Sequence, residues 1–272
     1  MSETNGSLSR IRAVIVTGGS SGIGKAIIEA LAPFPQIRIF LNLSRSIPVL
    51  EIEEERVHHF PCDLSDFGQL AGTAAEIVQL LAERAPEGEI LLINNSGFGA
   101  YGPFPADGLP NQLGMIDLNI RAMVDLTGRL LPLLCERGGR VMNIASTAAF
   151  QPTPYMATYG ATKAFVLHWT LALDADLREQ GVRCLCVCPG PTSTNFFKRA
   201  GFDEAPLHGG MGQTSEQVAA AALRALDRNR TLVVCGLGNK VLSGFSSLLP
   251  VRWSNAIAKR ILKAWRLDAK AR

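Results

Sequence analysis

A chain of 272 residues, 47% hydrophobic and 19% charged, is long enough to fill one substantial core and too apolar to be a disordered polymer. Its formal charge of +3 excludes the strong basic excess of a nucleic-acid-binding protein, so nucleic acid is not an expected partner. The charge is uneven, because seven Lys/Arg and one acid (Asp268) from Arg252 to Arg272 leave +6 in the tail and, by difference, −3 elsewhere.

In chain order, short apolar runs alternate with longer helical ones. IRAVIVT (11–17) precedes GIGKAIIEALA (22–32), and IRIFLNL (37–43) precedes VHHFPC (57–62). DFGQLAGTAAEIVQLLAE (66–83) leads into EILLINN (89–95), and helical segments over 108–121 and 121–136 lead into GRVMNIAS (139–146). A long helix over 155–180 is followed by VRCLCVC (182–188). TSEQVAAAALRALDRN (214–229), with Thr214 and Gln217 at capping-box spacing, precedes a last strand, TLVVC (231–235).

Near-continuous Val/Ile/Leu strands between helices predict an α/β fold: a doubly wound parallel sheet of about seven strands with helices on both faces, in a single domain. The strands' carboxyl ends then share one edge, where such sheets bind ligands. The boundaries expected are a dinucleotide-binding and catalytic domain over 1–235, a substrate flap over 193–215 and a basic C-terminal extension over 236–272.

The six cysteines lack the spacing of a zinc site, and no metal is expected. Cys184, Cys186 and Cys188 alternate along one strand and read as core residues sharing a face. With neither a secretory pattern at the N-terminus nor about 18 consecutive uncharged apolar residues, a cytoplasmic setting is expected.

Between the first strand and helix, VTGGSSGIGKAI sets Gly18, Gly19, Gly22 and Gly24. Glycines there let backbone approach a pyrophosphate, and the helix start supplies amide donors and partial positive charge. The spacing is G-x-x-x-G-x-G, and its position after a strand and before a helix gives it weight. After the second strand come Ser44 and Arg45, with no acid to hold an unphosphorylated ribose. An Arg there accommodates a 2′-phosphate, which predicts NADP(H) as the cofactor. Asp63 could bind the adenine or simply cap the next helix.

The helix of 155–180 contains TYGATK, with Tyr159 and Lys163 four positions apart and therefore on one face. An unperturbed phenol has a pKa of about 10, and a drop of about 3 units takes roughly 4 kcal/mol. One cation about 4 Å away at an effective dielectric near 20 supplies roughly that. The expectation is therefore that Lys163 brings Tyr159 toward neutrality.

TGGSSGIG (17–24), Asp63, NNSG (94–97), Asn119 in DLNI, Ser146, YGATK (159–163) and PGPT (189–192) together resemble the short-chain dehydrogenase/reductase family, in its order, over about residues 11–194. NNSGFGAYGPF and VCPGPTSTNFF are similar to a bacterial branch of it, and Ser96 departs from the Ala the family commonly has. The resemblance implies a Rossmann fold and an oxidoreductase that interconverts a carbonyl and an alcohol. It implies Tyr159 as general acid in reduction and base in oxidation, with Lys163 lowering its pKa and binding the nicotinamide ribose. Ser146 would bind the substrate oxygen, and Asn119 would hold a water of a proton relay. The implied cofactor residues are Gly18, Ser20, Ser21, Gly22, Ile23, Gly24, Arg45, Asp63, Leu64, Asn95, Gly97, Tyr159, Lys163, Pro189, Gly190, Thr192 and Thr194. Homo-oligomers built through the long helices are also common in the family.

Phe98, Tyr101, Phe104, Tyr155, Phe196 and Phe197 are candidates for an apolar pocket taking a bulky or lipophilic small-molecule carbonyl. In the tail, Trp253, Ile257, Ile261 and Trp265 fall at i, i+4 steps opposite Lys259, Lys263, Arg266 and Lys270. That stripe could pack on the domain, on a second subunit, or on an anionic membrane surface. Two alternatives to an enzyme are a non-catalytic dinucleotide-binding regulator and a membrane-associated interaction protein.

Overall fold

The computed structural model describes residues 6–201, 212–248 and 250–270. Seven strands form one parallel sheet: β1 (Ile11–Thr17), β2 (Ile39–Ser44), β3 (Val57–Pro61), β4 (Glu89–Asn94), β5 (Arg140–Ile144), β6 (Arg183–Cys188) and β7 (Leu232–Val234). Their order across the sheet is β3-β2-β1-β4-β5-β6-β7. The order reverses between β1 and β4, and a doubly wound sheet opens a crevice at such a point.

Period-two alternation divides the core. Val14 and Val16 of β1 point to one face with α1 (Gly22–Leu31) and α7 (Ser215–Asp227). Ala13 and Ile15 point to the other, against α2 (Phe67–Arg84) and α4 (Ala122–Arg137). Ile27, Ile28 and Leu31 of α1 are wholly buried, each worth roughly 1.5–3 kcal/mol. Cys184, Cys186 and Cys188 do share a face of β6, the latter two packing with Val166 and Leu167 of α5 (Ala157–Leu177).

The capping box at Thr214 and Gln217 forms as the spacing predicts, and the Asp66 side chain caps α2. One segment departs from the sequence reading. The helix expected over 108–121 splits into α3 (Leu109–Ile116) and a π-helical turn, Asp117–Arg121. The extension is two helices, α8 (Leu237–Leu248) and α9 (Val251–Lys270), separated at Pro250, whose ring suits the start of a helix rather than its interior.

Candidate active site

The carboxyl ends of β1, β2, β4, β5 and β6 border one cleft of about 510 Å³. Its floor begins with the glycine loop. Gly18 and Gly22 have φ of +68° and +57°, the left-handed region that a side chain resists. Gly24 answers a different need, since a Cβ there would lie 2.5 Å from Asn95 Nδ2 and 2.7 Å from the Gly18 carbonyl oxygen. Asn95 Nδ2 donates to the carbonyls of Thr17 (2.9 Å) and Gly18 (3.1 Å), so it clamps the loop to β1. Ser21, which precedes α1, places no side-chain oxygen on that helix's first amides. Those amides are therefore free for an anion.

The other cofactor residues of the sequence reading gather around this loop. Ser20, Ser21, Ile23, Arg45, Asp63, Leu64, Asn95, Gly97, Pro189, Gly190, Thr192 and Thr194 all line the cleft; Gly24 does not, and acts through packing. Arg45 is exposed at the end of β2. Asp63 accepts the Ser65 amide at 2.9 Å, and the capping of α2 falls to Asp66 instead. Thr194 accepts the Phe196 amide at 3.2 Å. A Cβ on Gly22 would lie 3.2 Å from the Thr194 methyl, so the two loops meet across the cleft.

Ser146, at the end of β5, accepts the Ala148 amide at 3.1 Å and lies beside Tyr159. Tyr159 and Lys163 come from α5, both buried and both on the cleft wall. Lys163 Nζ donates to the Ile144 carbonyl at 2.8 Å and lies 5.9 Å from the centre of the Tyr159 ring. The Phe196 ring, on the short helix α6 (Phe196–Arg199) and 5.1 Å from the ring of Tyr159, helps seal the phenol from water.

The electrostatics reverse the expectation for this pair. Burial pushes the Tyr159 phenol up to about 12; the Ser146 hydroxyl partly offsets this and Cys188 adds to it. Burial likewise pushes the Lys163 ammonium down to about 8, against the pull of Cys186 and Cys188. Desolvation is the dominant influence on both groups, and the ammonium already donates one proton to the Ile144 carbonyl.

Asn119 is not on the main cleft. It sits in the π-helical turn, donates to the Phe98 carbonyl (3.0 Å) and Thr162 Oγ1 (3.0 Å), and accepts the Phe98 amide (3.1 Å). It borders a second cavity of about 10 Å³, shared with Lys163 and Asn94. That is room for about one water. Asn94 Oδ1 is buried with no hydrogen-bond partner among the described residues.

Tyr101, Tyr155, Phe196, Phe197 and Phe98 do cluster, together with Met115, Met156, Tyr159 and Leu262. Phe104 does not join them and is 68% exposed, because it lies in a stretch, 103–105, that faces solvent. The pairs Ser193–Gln213 and Gln213–Pro191 tie the two ends of the expected flap by backbone hydrogen bonds of 2.9 Å each. Its middle, 202–211, lies outside the described residues.

Sequence reasoning missed Asn42, whose Oδ1 accepts the Gly19 amide at 2.8 Å and holds the loop from the side of β2. It also missed a buried chain in which Asn94 donates to Asn143 (2.8 Å) and Asn143 to Thr170 (2.9 Å). An amide inside each of the apolar runs IFLNLS, EILLIN and RVMNI was the available signal, since buried polar groups must find partners. Asn111, Asn195 and Arg199 also line the cleft, with no motif to mark them.

A family model described as short chain dehydrogenase matches residues 12–205, the span that holds the glycine loop, Ser146, Tyr159, Lys163 and the loop after β6. The chain belongs to the short chain dehydrogenase family. It is 35% identical over 205 residues to sulfoacetaldehyde reductase 2 of Chromohalobacter salexigens, covering 71% of this chain and 77% of that one. Among solved structures, a Burkholderia cenocepacia short chain dehydrogenase in complex with NADP superposes with a TM-score of 0.73 at 24% identity, over 89% of this chain and 99% of that chain. A Sphingobium yanoikuyae short-chain dehydrogenase in complex with NADPH gives 0.70 at 26% identity, over 88% and 97%. Family membership makes the chain an oxidoreductase.

Proposed function

We propose that this dehydrogenase uses NADP(H) to interconvert a carbonyl and an alcohol, with Tyr159 as general acid/base and Lys163, Ser146 and Asn119 in support. The observation that carries the reading is the meeting of Tyr159, Lys163 and Ser146 in the cleft that the glycine loop opens. Arg45 on the same wall, with no acid at the end of β2, supports a 2′-phosphate. The NADP and NADPH held by the two structural relatives support the same choice. Arg45 would hold that phosphate, the first amides of α1 the pyrophosphate and Lys163 the nicotinamide ribose. When bound, the dinucleotide supplies or accepts the hydride.

In reduction the carbonyl oxygen becomes an alkoxide, a far stronger base than a phenolate. Tyr159, raised to about 12, is fully protonated at neutral pH and can give its proton to that oxygen. Lys163, at about 8, remains mainly cationic at pH 7 and stabilises the phenolate left behind. Ser146 adds a second hydrogen bond that holds the oxygen in place. The small cavity between Asn119 and Lys163 gives room for a water to return the proton.

The apolar side chains around Tyr101, Met156 and Phe197 favour a bulky or lipophilic aldehyde or ketone. The segment 193–215, pinned at its ends, acts as the flap over it. We propose that the enzyme assembles as a homo-oligomer, a reading supported by the exposed Val124 and Phe165 on the long helices. Cofactor titration and a carbonyl panel test the proposal. NADPH should bind clearly tighter than NADH, and Tyr159→Phe should keep that binding while losing turnover. Activity indifferent to the Tyr159 change would overturn the mechanism.

A further inference from the structure

The C-terminal helix packs on the domain, but Trp253 and Ile257 of the stripe its sequence advertises stay outside. Ser254, Ala258 and Leu262, at i, i+4 steps, are the buried positions among the described side chains of α9. Tyr101 Oη donates to the Leu262 carbonyl at 2.8 Å, and Leu262 joins the apolar cluster that holds Tyr159. α9 is therefore attached beside the substrate end of the cleft. Trp253 and Ile257 each precede a buried position by one residue, which turns them roughly 100° away onto the flank. They are 67% and 46% exposed. The side chains of Ile261 and Trp265 lie outside the described ones.

Around that flank the charge is of one sign. Arg252, Lys259, Arg260 and Lys263 are all exposed on α9. They belong to none of the ion pairs among the described residues. Over residues 236–272 eight Lys/Arg face a single acid, Asp268. The preceding helix continues the pattern with exposed Leu237, Val241 and Phe245, at i, i+4 steps, beside exposed Lys240.

We infer that α8 and α9 form a peripheral docking surface for an anionic lipid bilayer. Large apolar tips, a tryptophan among them, set amid ammonium and guanidinium groups fit the boundary between acyl chains and anionic headgroups. A second copy of the chain is the poorer occupant, because a self-complementary contact would bring two strongly basic faces together. No helix among the described residues is long and apolar enough to cross a membrane, so the contact lies along the surface. Its inner face borders the cluster around Tyr159, so docking would hold the substrate end of the cleft near the lipid.

Co-sedimentation of the full chain with vesicles tests this. Binding is expected to phosphatidylcholine vesicles containing phosphatidylglycerol, little to phosphatidylcholine alone, and release at high salt. Each basic residue near an anionic surface raises the partition roughly fivefold, so Lys259→Gln/Arg260→Gln/Lys263→Gln should lower it on the order of a hundredfold. Trp253→Ser/Ile257→Ser should lower it as well, and both variants should keep NADPH binding and circular dichroism unchanged. The inference is overturned if the wild type ignores anionic vesicles. It is also overturned if these variants change the sedimentation mass in solution, which would make the face a subunit interface, or if the basic variant binds vesicles as the wild type does.

Discussion

Lys163 gives the sharpest test of the proposed site, because there the same buried ammonium would bear on both rate and stability. Its pKa is lowered from 10.5 to about 8 by burial. The difference corresponds to about 3 kcal/mol favouring the neutral amine. If reduction requires the cation, roughly nine in ten molecules of free enzyme are competent at pH 7 and about one in ten at pH 9. The pH profile of kcat/KM for NADPH should therefore break near pH 8 and fall about tenfold per unit above it, well before Tyr159 titrates at about 12. In Lys163→Arg, whose guanidinium stays charged, the residual activity should show no such break. Stability moves the opposite way. The folded pKa lies below the unfolded one, so the unfolded chain binds more protons between about pH 8 and 10.5, and stability rises with pH in that window. Urea unfolding of the cofactor-free protein should detect a gain approaching about 3 kcal/mol from this group, absent in Lys163→Met. A rate profile flat to pH 10, or a break at pH 8 that persists in Lys163→Arg, would refute the assignment.

Other outcomes follow from individual contacts. Gly24→Ala puts a methyl 2.7 Å from the Gly18 carbonyl oxygen, so NADPH affinity should fall at least tenfold by fluorescence titration, while an exposed control, Gly72→Ala, should not change it. Arg45→Glu should move the ratio of NADPH to NADH dissociation constants toward NADH by tenfold or more, about 1.4 kcal/mol. Tyr101→Phe removes the hydrogen bond to the Leu262 carbonyl, worth about 1 kcal/mol, and should raise hydrogen exchange in α9 without disturbing β1 to β6.

The fold was legible because its signals are local. Seven apolar runs between amphipathic helices, a glycine loop between β1 and α1, and polar residues at strand ends each follow from spacing along the chain. The same locality made Tyr159 and Lys163 neighbours on α5, and the meeting of those residues with Ser146 and the glycine loop follows from the parallel sheet. Less legible were side chains that act across the sheet, such as Asn42 holding Gly19 and Asn95 clamping the loop, since their partners are distant in sequence.

Two outcomes belonged to tertiary structure alone. A four-residue spacing places a lysine near a phenol, but the surrounding dielectric decides which influence wins. Phe196 comes from elsewhere in the chain to pack on the phenol, and burial dominates. Periodicity likewise gave α9 an apolar stripe and a basic face, but not the stripe that would meet the domain. Leu262 meets Tyr101, and Ser254 and Ala258 are buried on the same side of α9, which leaves Trp253 and Ile257 outside. Amphipathicity sets what a helix can bury; the shape of the surface it meets sets what it does bury.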